Sequence, residues 1–356
     1  MGHVPAEIWL LVAEHLPVED LIVLGGASRQ MQRMMIPPLI RGYKLLELLH
    51  SQDEKSSVAL LMHTKSIDIR VRGVHALTAL HYAAMMGSQE VLRLLARHPQ
   101  HKALLNIPEN LNGDTPLMTA FRYSREEAFQ LLLDAGPNLN LRDAQSESIL
   151  YRAVKCQRTT LVRILLSRGA DPNHVGRYGF TPLILAIMDN RLDLVTVLVE
   201  GGCDVEQPDD RGHRPLAWAV ISDNLAIVEV IFSQVTDPST MANGKRAERS
   251  PLVWAVMKGN LDMVRLLLHY GADITQTPTD RRPPLIWAVI HCDLSVAEVL
   301  LQNGACPNEP DGNGQTALMW ATIINDHDMI HLLLEHGADQ EAVRARQRCV
   351  SLSSGV

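Results

Sequence analysis

Few residues of this 356-residue chain have the type and spacing for chemistry. His327-Asp328-Met329-Ile330-His331 sets two imidazoles four residues apart. At that interval a helix presents both rings to one zinc ion, with Asp328 standing where such a site has a glutamate general base. Aspartate is a shorter arm than that base requires. His81 follows Thr78-Ala79-Leu80 with no nucleophile beside it. The five cysteines, Cys156, Cys203, Cys292, Cys306 and Cys349, are odd in number and widely spaced, without a C-x-x-C pair. That is the pattern of reduced thiols, which predicts a cytoplasmic or nuclear protein, or one found in both. The paired carboxylates of Asp209-Asp210 are expected in a solvated turn, and no Gly-rich phosphate loop is present. The sequence predicts no enzyme, no catalytic residue, no cofactor and no metal.

The composition agrees with a chain built for surfaces. Apolar residues make up 46%, charged residues 21% and aromatics only 4%. A single closed core normally holds more aromatic residues; thin stacked layers are filled by Leu, Ala and Val. With a net charge of −7, no global field draws the chain to nucleic acid or to an anionic membrane, so neither is expected as a partner. The N-terminal apolar stretch lacks a basic lead and is broken by Glu14, His15 and Pro17, which argues against a signal peptide. No apolar run reaches the ~18 residues of a membrane span. Met1-Gly2 opens as a myristoylation site does, but Ala6 stands where Ser or Thr is wanted.

The elements that must position any site come from internal repetition. T-A-L-H-Y-A at Thr78 returns as T-P-L-M-T-A at Thr115, T-P-L-I-L-A at Thr181, R-P-L-A-W-A at Arg214, S-P-L-V-W-A at Ser250 and T-A-L-M-W-A at Thr316. Weaker copies begin at Ser148 and Pro283, and successive starts lie 37, 33, 33, 33, 36, 33 and 33 residues apart. Two residues after each start stands a Leu (Leu80, Leu117, Leu150, Leu183, Leu216, Leu252, Leu285, Leu318). Five residues after each start stands an Ala (Ala83, Ala120, Ala153, Ala186, Ala219, Ala255, Ala288, Ala321). Three positions apart, the two share a helical face, and the small residue lets a neighbouring helix approach. A second helix follows and stops at Gly136, Gly169, Gly202, Gly271, Gly304 or Gly337, each 21 residues after its start. Glycine there supplies the left-handed conformation that ends a helix at little cost. The two copies with Pro99 and Val235 in that place are the two followed by the long spacings, so the chain leaves those helices another way.

The unit T-P-L-x-x-A…L-L-L-x-x-G-A-D with its 33-residue period resembles the ankyrin repeat. The resemblance implies an all-α solenoid of about eight helix–loop–helix repeats over residues 73–340, binding partner proteins through its turns and first helices without chemistry. It also implies that His81 makes hydrogen bonds between layers. In this alignment Leu261, Asp262 and Arg265 take the places of His327, Asp328 and His331, which reads as an ordinary second-helix surface and not a zinc site. Residues 41–72 are read as a linker or a degenerate capping helix pair, with apolar clusters at 45–49 and 58–62, and residues 341–356 as a disordered tail.

Residues 1–40 fall outside the repeat. Ile8, Leu11, Val12, Leu16, Leu21 and Leu24 follow a helical period interrupted by Pro17. Val4-Pro5-Ala6-Glu7-Ile8, then Asp20-Leu21 and Ala27-Ser28-Arg29, resemble an F-box, with Val4 in the place of Leu and Pro37-Pro38 cutting a third helix short. That resemblance implies docking on the adaptor subunit of a cullin-RING ubiquitin ligase through Pro5, Ile8, Val12, Leu16 and Leu21. The alternative for the segment is a helical pair that caps the solenoid.

The remaining signal is a tryptophan ladder. Trp218, Trp254, Trp287 and Trp320 each stand four residues after a start, and Ile221, Met257, Ile290 and Ile323 stand three residues further on. Earlier copies carry Tyr82, Thr119, Arg152 and Leu185 at the tryptophan place. The rings either pack between adjacent first helices or wall a groove that anchors a target protein; one ring can do both. Arg177, Arg211, Arg281 and Arg282 are scattered over turns without a dense cluster. Together these features predict a substrate-holding subunit of an SCF-type ligase, or else a plain ankyrin scaffold or inhibitor with a helical cap.

Overall fold

The computed structural model describes residues 36–63, 67–235, 238–239, 250–275 and 282–340, with side chains from residue 41 onward. Nineteen α-helices and no β-strand are found among the described residues. The chain divides into two compact units, Met1–Ile149 and Leu150–Val356.

The first unit contains α1 (Ile36–His50), α2 (Glu54–His63), α3 (Ala79–Met86), α4 (Gln89–Ala96), α5 (His101–Leu104), α6 (Pro116–Arg122) and α7 (Glu126–Asp134). Helix α1 packs on α3 and α2 on α4; α3 then packs on α6 and α4 on α7. Leu45, Leu46 and Leu49 of α1 are buried, so this pair forms a layer ahead of the first clear copy. Helix α1 runs through residue 40, and Pro37 and Pro38 lie in its first turn. Proline's fixed φ and missing N–H suit the start of a helix, and the preceding helix that these prolines were expected to cut short lies outside the described residues. The four-residue α5 fills the first of the two long spacings.

The second unit contains α8 (Ile149–Lys155, from Leu150), α9 (Thr159–Ser167), α10 (Pro182–Met188), α11 (Leu192–Glu200), α12 (Pro215–Ile221), α13 (Leu225–Phe232), α14 (Pro251–Lys258), α15 (Leu261–His269), α16 (Pro284–Ile290), α17 (Leu294–Gln302), α18 (Ala317–Ile324) and α19 (His327–Glu335). First helices α10, α12, α14, α16 and α18 pack in sequence side by side, and second helices α9, α11, α13, α15, α17 and α19 do the same.

The local causes repeat from copy to copy. Thr115, Thr181, Ser250 and Thr316 cap their helices, each side-chain oxygen accepting the backbone N–H three residues on. The eight alanines of the motif are wholly buried, as close helix approach requires. All six terminator glycines have positive φ, between 76° and 97°. A second left-handed position stands nine residues after every start, at Gly87, Ser124, Gln157, Asn190, Asp223, Gly259, Cys292 and Asn325. Only two of these are glycine, so composition does not reveal the turn.

His81 joins two layers of the first unit. Its Nδ1 accepts from the Thr78 backbone N–H at 3.2 Å and from the Thr78 hydroxyl at 2.8 Å, while Nε2 donates to the Asp114 carbonyl at 3.0 Å. The neutral ring is the one that fits, and burial holds its pKa below the ordinary value, with the Asp114 hydrogen bond opposing. A histidine depressed in the folded state is protonated first in the unfolded chain. Its contribution is thus complete above about pH 6.5 and is lost as pH falls below that value. Urea midpoints measured at pH 7.5 and 5.5 are expected to fall less in His81→Gln than in the unaltered chain; equal falls would sink this assignment.

Candidate functional site

The five neighbouring first helices α10, α12, α14, α16 and α18 place their fourth and seventh residues after the start in one row. Trp218, Trp254 and Trp320 are half-buried, and Trp287 is 8% exposed. Ile221, Met257 and Ile290 are half-buried beside them, while Ile323 is 62% exposed. The row reaches one layer further than the tryptophans do, because half-buried Leu185 and exposed Met188 continue it on α10. Five consecutive layers therefore present an apolar pair. At the tryptophan place the first unit has Tyr82, buried edge-on against His50, and buried Thr119, whose hydroxyl donates to the Thr115 carbonyl.

Side chains from the turns lie against the rings, which the sequence alone did not disclose. Phe180 and His213 approach Trp218 at 5.9 Å, at 88° and 73°. His291 stacks on Trp287 with centroids 6.0 Å apart. The Arg282 guanidinium lies 5.2 Å from the Trp287 ring centre and 5.7 Å from that of Trp320, within cation–π range of both. Arg282, counted among scattered turn arginines, thus belongs to the wall. Phe180, His213 and Arg282 each directly precede a copy start, a spacing that would have found them.

Asp209 corrects an expectation. Its carboxylate is not solvated: the residue is 5% exposed, and Oδ2 accepts the Trp218 indole N–H at 3.1 Å. Asp311, 6% exposed, accepts the Trp320 indole N–H at 3.2 Å in the same way. Burial opposes ionisation of Asp311, but the N–H groups of Gln315, Asn313 and Trp320 and the charge of Arg282, 4.0 Å away, prevail and hold its pKa below the ordinary value.

The other candidates stay apart from this wall. His327, Asp328 and His331 are exposed on α19, and among the described residues no three His, Cys, Asp or Glu side chains are grouped to hold a metal ion. Cys156, Cys203, Cys292 and Cys306 are free thiols. Burial, then the charge of Asp204, push the Cys203 thiol up to about 12, the opposite of an activated nucleophile. No helix among the described residues is long and apolar enough to cross a membrane. Pro5, Ile8, Val12, Leu16 and Leu21, with the F-box-like segment, lie outside the described residues, as do Arg281, Cys349 and the tail.

A family model for ankyrin repeats in three copies matches residues 46–143, 102–176, 150–242, 207–278 and 252–344. Over 110 residues the chain is 36% identical to Protein PhlB of Serratia liquefaciens, covering 31% of this chain and 46% of that protein. Over 100 residues it is 32% identical to diacylglycerol kinase zeta of Rattus norvegicus, covering 28% of this chain and 10% of that protein. The chain thus spans less than half the length of either relative. Among solved structures, the ankyrin repeat domain of Bcl-3 aligns with a TM-score of 0.51 at 23% identity, over 71% of this chain and 96% of that one. An ankyrin repeat domain from Acinetobacter baumannii aligns with a TM-score of 0.50 at 24% identity, over 53% and 98%. At these identities the likeness to solved structures is one of fold.

Proposed function

The chain belongs to the ankyrin-repeat family, whose repeats bind protein targets, and from that premise we propose that it is a non-catalytic scaffold holding a target protein against the tryptophan wall of its second unit. The observation that carries this reading is the row of five apolar pairs on α10 to α18, only partly covered by the chain's own turns. Its reduced thiols suit the cytoplasm or nucleus. A charge set into an apolar contact costs more than the ~1.4 kcal/mol that separates affinities tenfold. The double variant Ile290→Asp, Ile323→Asp is therefore expected to lose at least about tenfold in target capture while its thermal unfolding stays cooperative. Recovery of the same targets by that folded variant would remove the wall from the binding surface.

A second reading rests on Val4-Pro5-Ala6-Glu7-Ile8 and Asp20-Leu21. In it the wall still holds the target, while Pro5, Ile8, Val12, Leu16 and Leu21 dock on the adaptor subunit of a cullin-RING ubiquitin ligase and act by proximity alone. A pull-down with that adaptor subunit decides between the two. Capture by the intact chain and its loss in Ile8→Asp, Leu16→Asp would favour the ligase reading, and no capture by the intact chain leaves the plain scaffold.

A further inference from the structure

We infer that Asp209 and Asp311 are positioning residues of the wall, each tying the turn ahead of a copy to the indole nine residues later, so that the turn sets how the ring stands. The inference rests on the wall being a recognition surface, as proposed above. The two sites match atom for atom. Oδ1 of Asp209 accepts the backbone N–H groups of Arg211 at 2.9 Å and His213 at 2.8 Å, while Oδ2 takes the Trp218 indole. Oδ1 of Asp311 accepts those of Asn313 at 2.8 Å and Gln315 at 2.9 Å, while Oδ2 takes the Trp320 indole. One carboxylate thus shapes the turn with one oxygen and holds the ring with the other. Asp143 shapes its turn in the same way, its Oδ1 accepting from Gln145 at 2.7 Å and Glu147 at 2.8 Å, with Arg152 in place of an indole nine residues later. Lys245 and Pro278 stand nine residues before Trp254 and Trp287, so the device marks two rings of the four. At the last layer it carries further, because Arg282 lies against both Trp287 and Trp320, within 4.0 Å of the same Asp311 carboxylate.

A buried charged acceptor makes a shorter list of ring orientations than packing alone, since the indole N–H loses its partner on leaving. Asparagine at these places keeps Oδ1 for the turn and sets an NH2 donor against the indole N–H. The test is fluorine NMR of the full chain labelled with 5-fluorotryptophan, its five resonances assigned by Trp→Phe variants. Asp311→Asn is expected to shift or broaden Trp320, and Trp287 through Arg282, while leaving Trp218 in place. Asp209→Asn is expected to move Trp218 and leave Trp320. An unmoved target ring, or equal changes in every ring, overturns the inference. Trp320→Phe covers the case in which the asparagine variant fails to fold: it removes the N–H and spares the turn, so the Asp311 pKa read by carbon NMR must rise. An unchanged value also overturns the tether. Neither readout needs a bound target. Ring responses together with undiminished capture by Ile290→Asp, Ile323→Asp would refute the recognition role and leave the tether as architecture.

Discussion

Gly179→Ala is expected to lower the unfolding free energy by about 3 kcal/mol, while Gly202→Ala costs about 1 kcal/mol. Both glycines have nearly the same backbone, with φ of 74° and 79°. A side chain in the left-handed region carries a strain of about 1–2 kcal/mol wherever it stands. What separates the two is what the new Cβ meets. At Gly202 nothing lies within 4 Å, so the strain is the whole cost. At Gly179 the added carbon runs into the backbone nitrogen and carboxylate of Asp210, and a backbone cannot step aside as a flexible side chain can. Asp210 adjoins Asp209, so the disturbance reaches the turn that holds Trp218. Urea unfolding of the two variants side by side checks this. Equal losses would mean that conformational strain alone governs both places.

Leu183→Ala is expected to cost about 3 kcal/mol, from the range of about 2–5 kcal/mol for emptying a buried leucine site. Leu183 is wholly buried on α10, three residues before wholly buried Ala186. The alanine row already brings neighbouring first helices close, so their backbones have little room to move into the hole. In a layered protein each layer is stabilised chiefly by its neighbours, and the loss should therefore appear first in the layers beside α10. Amide hydrogen exchange should quicken most in α10 and in α12, with the first unit's α3 and α6 unaffected. A loss below about 1 kcal/mol would mean that the layers close over the cavity.

Much of the architecture was determined by the sequence itself, because its causes are local or repeat at a fixed interval. The leucine and alanine places, the capping Thr and Ser residues and the terminator glycines each act within one helical hairpin. Eight copies in one register make such signals mutually consistent, and the family follows from them. The apolar row was legible for the same reason, since equal places in side-by-side helices must line up. Tertiary structure alone decided what each residue in that row touches. Its place directly before a copy start could set Arg282 beside Trp287, but Trp320 belongs to the next copy and meets it only when the layers stack. Asp209 looked like a solvated turn carboxylate because turns usually are solvated; burial beneath the indole nine residues on became visible only once the turn had folded back over its helix. Local pattern determines which segments become helices and where they stop. What covers each ring depends on turns folding back over their own helix, as Asp209 and His213 do at Trp218. It depends also on contacts across layers, as Phe180 makes with Trp218 and Arg282 with Trp320, and both exist only once the layers have folded and stacked.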